Sequence, residues 1–226
     1  MPANKYSLPD GTRVPSVTTI LGRFKDSGGL IHWAWKEGKA NRDYRKTRDD
    51  AADIGTQVHD AIEQWLVDGK DPMLLSPQAE TAFSAFRDWY DAEDLTCIAP
   101  EVRLVSEEHG YGGQFDLIAE MPGRGIVICD WKTSSGVYPD MLAQLAAYPR
   151  LVYENGIEDD ELDDAAGRVP KGTMCDGGII LRLDKKTGLP EPHFFTSAQL
   201  DIGWEYFRHA ISLYEASSVL TKAMKI

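Results

Sequence analysis

Cysteine is scarce in this chain. Cys97, Cys129 and Cys175 are the three among 226 residues, and no C-x-x-C pair occurs. This spacing suggests neither a disulfide framework nor a cysteine zinc site, so buried free thiols are the expectation. Long apolar runs are also missing. Stretches such as Ile126-Val127-Ile128-Cys129 fall far short of the roughly 18 residues of a membrane span, and Met1-Pro2-Ala3-Asn4-Lys5 lacks the apolar segment of a signal peptide. A soluble, cytoplasmic protein with no membrane partner is expected. Positive charge is outnumbered: 24 Lys and Arg stand against 36 Asp and Glu, a net charge of −12. Such a field argues against coating nucleic acid non-specifically, while leaving room for a locally basic channel. No G-x-x-x-x-G-K-[ST] run is present, so no helicase motor of the P-loop type is expected among these residues, and no internal repeat is visible.

What is there is an ordinary globular mixture, 42% hydrophobic, 10% aromatic and 27% charged, in a length that suits one compact domain with appendages. Tyr6 to Pro15 is rich in turn residues and reads as a loop, with Ser16 as the N-cap of a helix. From Ile31 to Arg48, Trp33, Trp35 and Tyr44 interleave with Lys36, Lys39, Arg42, Arg45, Lys46 and Arg48. Only Glu37 and Asp43 oppose these between Lys36 and Arg48, an excess of four positive charges. Taken alone, this segment reads as a solvated helix with core-facing tryptophans. Helical spacing of apolar or small residues marks Ala51 to Val67 and Gln78 to Tyr90.

The period then shifts from about 3.6 to 2. Ile98 to Val105, Gly112 to Ala119 and Gly125 to Lys132 read as three strands of an antiparallel meander. Met141 to Glu154 is a further helix. Ile157 to Gly172 follows, with five of the six residues from Glu158 to Asp163 acidic, and reads as a mobile, solvated excursion. Gly177 to Leu183 and His193 to Thr196 complete the strands, and Ser197 starts a last amphipathic helix through Leu220. The expected fold is α/β, a central mixed β-sheet flanked by helices with an N-terminal helical cap over one edge. Residues 1–92 form the arm and helical region, and residues 93–226 form the core sheet and its helices.

The chemistry is concentrated in Gly112-Gly113-Gln114-Phe115-Asp116 and Asp130-Trp131-Lys132. With the turn centred on Gly123, Asp116 and Asp130 each lie seven residues away and face one another across an antiparallel pair, Cβ atoms about 4.5–5.5 Å apart. Alternation puts Gln114, Asp116, Asp130 and Lys132 on one face and Phe115, Leu117, Cys129 and Trp131 on the other. Two facing carboxylates in an apolar sheet repel, and a divalent cation is the simple remedy. Oxygen ligands suit Mg²⁺ or Mn²⁺, and a lysine two residues on can orient a water or offset charge on a phosphate. That combination points to phosphodiester hydrolysis.

In their order and spacing, Gly113-x-x-Asp116, Asp130-x-Lys132 and Gln144-x-x-x-Tyr148 resemble the motif series of the PD-(D/E)XK nuclease superfamily in its RecB-type, phage exonuclease-like branch. Gly55-Thr56-Gln57-Val58-His59 resembles the N-terminal helix of that branch. The resemblance implies a restriction-endonuclease-like core in which His59, Asp116, Asp130 and the main-chain carbonyl of Trp131 bind Mg²⁺ or Mn²⁺. Lys132 would be the catalytic lysine, with Glu101 a further acidic candidate. Gln144 and Tyr148 would face DNA or the site, although at i, i+4 they could equally pack on the sheet. Beside such a core, Lys36, Lys39, Arg42, Arg45, Lys46 and Arg48 become a candidate DNA clamp. No iron-sulfur cluster is expected from three scattered cysteines. The implied activity is a metal-dependent DNA exonuclease of phage or bacterial recombination, repair or degradation, acting on linear DNA, with a homo-oligomer or a recombination protein as partner. The alternatives are an endonuclease for single strands or flaps and an inactive DNA-binding or assembly module.

Overall fold

The computed structural model describes residues 6–73, 75–158 and 169–224. The turn-rich start is more ordered than a loop. Tyr6–Ser7 (β1) and Arg13–Val14 (β2) pair into a short antiparallel ribbon. The buried Tyr6 ring lies so close to Gly112 that a Cβ there would fall 2.2 Å from it. Ser16 caps Val17–Arg23 (α1) as expected, accepting from the Thr19 N–H at 3.0 Å.

The basic aromatic segment is two helices instead of one, Gly28–Lys39 (α2) and Tyr44–Asp68 (α3). Asp43 accepts from the Arg45 N–H and starts α3 well before the apolar spacing becomes visible at Ala51, and Gly69 ends it in the left-handed region. Ser76 and Pro77 start Pro77–Glu93 (α4). Three strands follow, Thr96–Ser106 (β3), Tyr111–Met121 (β4) and Gly125–Lys132 (β5), then Pro139–Asn155 (α5). Gly177–Leu183 (β6), Pro190–Thr196 (β7) and Ser197–Ala223 (α6) close the order, with a capping box between Thr196 and Gln199. The acidic run after Glu158 lies outside the described residues. Its flanks, Ile157 and Val169, exchange main-chain hydrogen bonds at 2.7 and 3.1 Å.

Strands β3 to β7 form one five-stranded sheet in chain order, antiparallel except for the parallel pair β5 and β6, which α5 connects. The fold is therefore α/β, a mixed central sheet flanked by helices. One face carries Leu117, Ala119, Cys129, Trp131, Ile179 and Leu181 against α3 and α4, where Val58, Ile62, Phe86 and Trp89 are buried. The other face carries Ile118, Ile128 and Ile180 against α5, α6 and α1. The N-terminal helices do not form a single cap over an edge. The apolar side chains Val17, Ile20 and Leu21 send α1 to the α5–α6 face, whereas the Val58, Ala61, Ile62 stripe sends α3 to the opposite one. Cys129 and Cys175 are buried free thiols, while Cys97 is only half-buried. Among the described residues no helix is long and apolar enough to cross a membrane.

Candidate metal centre

The site lies where the regular ladders of β3, β4 and β5 stop being regular. Main-chain pairing of β4 with β5 runs from Met121↔Gly125 to Leu117↔Cys129 in the register expected from the Gly123 turn. Asp116 and Asp130 are the next step, and there the ladder ends. Asp116 replaces the missing main-chain bond with its own side chain, Oδ2 accepting from the Trp131 N–H at 2.6 Å. Alternation fails at the same place. Phe115 packs on Tyr148 of α5, with ring centroids 5.6 Å apart, instead of joining Leu117, Cys129 and Trp131 on the α3–α4 face. Side-chain alternation is a property of a regular ladder, and it holds only as far as the ladder does.

On the other side of β4 the irregularity is at Glu101. Pro100↔Leu117 and Val102↔Phe115 flank the position where Glu101 and Asp116 would pair. Glu101 adopts φ +50°, a left-handed conformation unfavourable for a residue with a Cβ. Its carboxylate accepts from Gln114 Nε2, and Gln114 Oε1 in turn accepts from Arg103 Nε at 3.3 Å and Nη2 at 2.9 Å. From α3, His59 Nδ1 reaches Asp116 Oδ1 at 3.1 Å. Ligand atoms of His59, Glu101 and Asp116 all lie within 4.8 Å of one another.

Asp130 is turned to the α5 side. Its Oδ1 accepts from Gln144 Nε2 at 3.1 Å, its Oδ2 forms an ion pair with Lys132 Nζ, and Gln144 Nε2 also donates to the Tyr148 hydroxyl at 2.8 Å. Asp130 is 2% exposed and Asp116 8%. The motif glycine is what lets α5 come this close. A Cβ on Gly113 would lie 2.9 Å from Tyr148 Cε1 and from Leu151 Cδ1. The Trp131 ring is locked between Phe86 and Trp89, at 5.1 and 5.9 Å.

Titration behaviour follows from this crowding. Burial pushes the Glu101 carboxyl up to about 7, and the Asp116 charge adds to that. Burial alone would push the His59 imidazole down, but the Asp116 carboxylate outweighs it and lifts the ring to about 9. Asp116 itself is buried, yet the His59 and Lys132 cations and the Trp131 N–H hold it below the usual carboxylate range. Burial raises Asp130 despite its lysine, and Lys132 is kept protonated by Asp130 and Asp116. Two carboxylates and an imidazole crowded together, their repulsion relieved by bound protons and a lysine, fit a divalent cation such as Mn²⁺ or Mg²⁺.

Of the residues expected from sequence, His59, Glu101 and Asp116 converge as one donor set. Asp130, Lys132, Gln144 and Tyr148 form an adjoining hydrogen-bonded group joined to it through Trp131. The basic residues lie elsewhere, on α2, its connection to α3 and the start of α3, all exposed. Arg42 pairs with the buried Glu37 at 2.7 Å, Lys46 with Asp50 at 3.7 Å and Arg48 with Asp49 at 2.8 Å. Lys39 sits over the Trp35 ring and Arg45 over Tyr44. Sequence reasoning missed Arg103 and the role of Gln114. Counting outward from the Ser106↔Tyr111 turn would have found them, because Arg103 faces Gln114 in that register. No protein-family model matches this chain, and no curated protein matches it.

Proposed function

We propose that the protein is a Mg²⁺- or Mn²⁺-dependent deoxyribonuclease that works as an exonuclease on linear DNA. The observation that carries this reading is the convergence of His59, Glu101 and Asp116 within 4.8 Å beside the buried Asp130–Lys132 pair. The Gly113-x-x-Asp116, Asp130-x-Lys132 and Gln144-x-x-x-Tyr148 series, similar to that of PD-(D/E)XK nucleases, supports it.

His59, Glu101 and Asp116 would hold the ion, and Asp130 with the Trp131 carbonyl would complete its surroundings. When bound, it supplies a Lewis acid for the scissile phosphate and acidifies a water. The remaining work belongs to the chain. Lys132 keeps its proton and presents a cation where negative charge grows on the phosphate. Asp130 fixes Lys132, and Gln144 fixes Asp130, so the ammonium is placed before substrate arrives. The Trp131 N–H keeps Asp116 aimed at the site. On α2, the exposed Trp35 and the lysines beside it offer a ring for unpaired bases and charge for phosphates.

The test is a gel assay on end-labelled single-stranded, duplex and closed circular DNA with Mg²⁺, Mn²⁺ or EDTA. Loss of the linear substrates with either metal, no loss in EDTA and intact circles are the expected result. Nicked or linearised circles would convert the reading to an endonuclease. Binding without cleavage under every condition would make the protein a DNA-binding module.

A further inference from the structure

We infer that Gln114 and Arg103 are positioning residues for the metal centre, a relay that holds Glu101 in place as a ligand. The inference rests on the metal-site reading above and extends it to two residues outside the His59, Glu101, Asp116 donor set.

Glu101 reaches the site from a left-handed rather than an extended backbone. Its φ of +50° takes it out of the β3 ladder at the point opposite Asp116, and a residue with a Cβ stays there only if its surroundings hold it. Nothing repulsive is spared it either. Glu101 and Asp116 are both carboxylates, and Glu63 on α3 adds like charge. Against this, the His59 ring nearby offers opposite charge, and the Gln114 amide donates directly to Glu101 Oε2.

An amide can turn either its oxygen or its nitrogen toward a neighbour, and only the nitrogen suits a carboxylate. Arg103 decides between the two. Its guanidinium donates twice to Gln114 Oε1, and an arginine can only donate, so the oxygen faces Arg103 and the NH₂ faces Glu101. Arg103 is braced in turn over the Tyr6 ring, at 5.8 Å. The relay runs across β3 and β4 from the N-terminal ribbon to the metal centre.

The experiment measures Mn²⁺ affinity of the full chain, without DNA, by calorimetry and by the free-Mn²⁺ electron paramagnetic resonance signal. Gln114→Leu is expected to weaken Mn²⁺ about 10–100-fold, the usual effect of removing a ligand's hydrogen-bond partner. Arg103→Met, a change at an exposed position, is expected to weaken it in the same direction by less, and Arg103→Lys to restore part of the loss. The decisive arm is Gln114→Leu in a Glu101→Ala background, which leaves the amide no oxygen at residue 101 to hold. A residue acting through Glu101 produces no further loss there, whereas a general structural role lowers affinity by the same factor in both backgrounds. Additive losses, unchanged affinity in Gln114→Leu and Arg103→Met, or no Mn²⁺ binding by the wild-type chain would each overturn the inference. If Gln114→Leu does not fold, Arg103→Met with and without Glu101→Ala gives the same comparison. Glu101-dependent Mn²⁺ binding in a protein that leaves DNA uncut would sink the nuclease reading and leave the relay standing.

Discussion

The Asp116 carboxylate accepts the Trp131 main-chain N–H at 2.6 Å, one step past the last β4–β5 pair. A side chain thus finishes the work of a β-ladder while its other oxygen faces His59. The two jobs separate in mutants. Asp116→Asn keeps an oxygen acceptor for Trp131, whereas Asp116→Ala strands a buried N–H at a cost of about 1–3 kcal/mol. Both variants are expected to lose Mn²⁺ binding and DNA cleavage, with only Asp116→Ala markedly less stable in urea melts taken in EDTA. Wild-type cleavage by either variant would defeat the site.

The same crowding makes metal-free stability depend on pH. Glu101 sits near 7 in the folded chain against an ordinary 4.5, and His59 near 9 against 6.5. Between about pH 4.5 and 9 these two groups therefore bind more protons in the folded chain than in the unfolded chain, and their contribution to stability falls as pH rises through that window. His59 contributes its full stabilisation below pH 6.5 and loses it through 9. The Glu101 contribution is full below pH 4.5 and is lost through 7. A divalent ion must displace those protons, so its affinity moves the opposite way. Thermal melts in EDTA should show Tm falling from pH 5 to 9, and the Tm gain from Mn²⁺ should grow over the same range. A Mn²⁺ gain that is flat with pH would remove Glu101 and His59 from the ligand set.

How much of this was readable in the sequence depended on how regular the backbone was. The Gly123 turn gave the β4–β5 register correctly because a short hairpin fixes pairing by counting. The order of strands and the flanking helices followed from the change of period. Counting could not say what happens where pairing stops. Phe115 and Asp116 leave strict alternation there, and Asp130 turns to Gln144 and Lys132 while Glu101 takes the place beside Asp116. The left-handed Glu101 had no signal, since glycine or asparagine is the usual mark of that conformation. The start of α3 was also hidden, because a polar first turn capped by Asp43 carries no apolar spacing.

Gly113 is expected to be intolerant of a single methyl group. Its ideal Cβ falls 2.9 Å from both Tyr148 and Leu151, and both side chains are fully packed. Gly113→Ala therefore must push α5 away from β4, at about 1–3 kcal/mol of overpacking. The displaced helix carries Gln144, so cleavage should fall more than the stability loss explains at a temperature where the variant is folded. Chemical denaturation and cleavage rate measured side by side test this. Gly69→Ala is a control with open space around its Cβ and a left-handed φ of +65°, and it should cost stability without touching cleavage.

Lys132→Met is expected to separate cleavage from DNA binding. The Lys132 ammonium pairs with Asp130 deep in the protein, at side-chain exposures of 17% and 3%. Removing one partner of such a pair costs about 3–5 kcal/mol when the other is left charged. Asp130 can reduce that cost by taking up a proton, towards which its burial already biases it. Lys132→Met should therefore melt lower at pH 8 than at pH 5 relative to wild type, unlike a simple packing defect, which shifts both alike. DNA is expected to bind with nearly unchanged affinity, because one buried cation is a small part of a phosphate-contacting surface. The cleavage rate under single-turnover conditions should drop by about 10² or more, the scale of removing one preorganised donor to developing charge. Equal losses in DNA affinity and single-turnover rate would instead assign Lys132 to ground-state binding and leave the site without a group placed for the transition state.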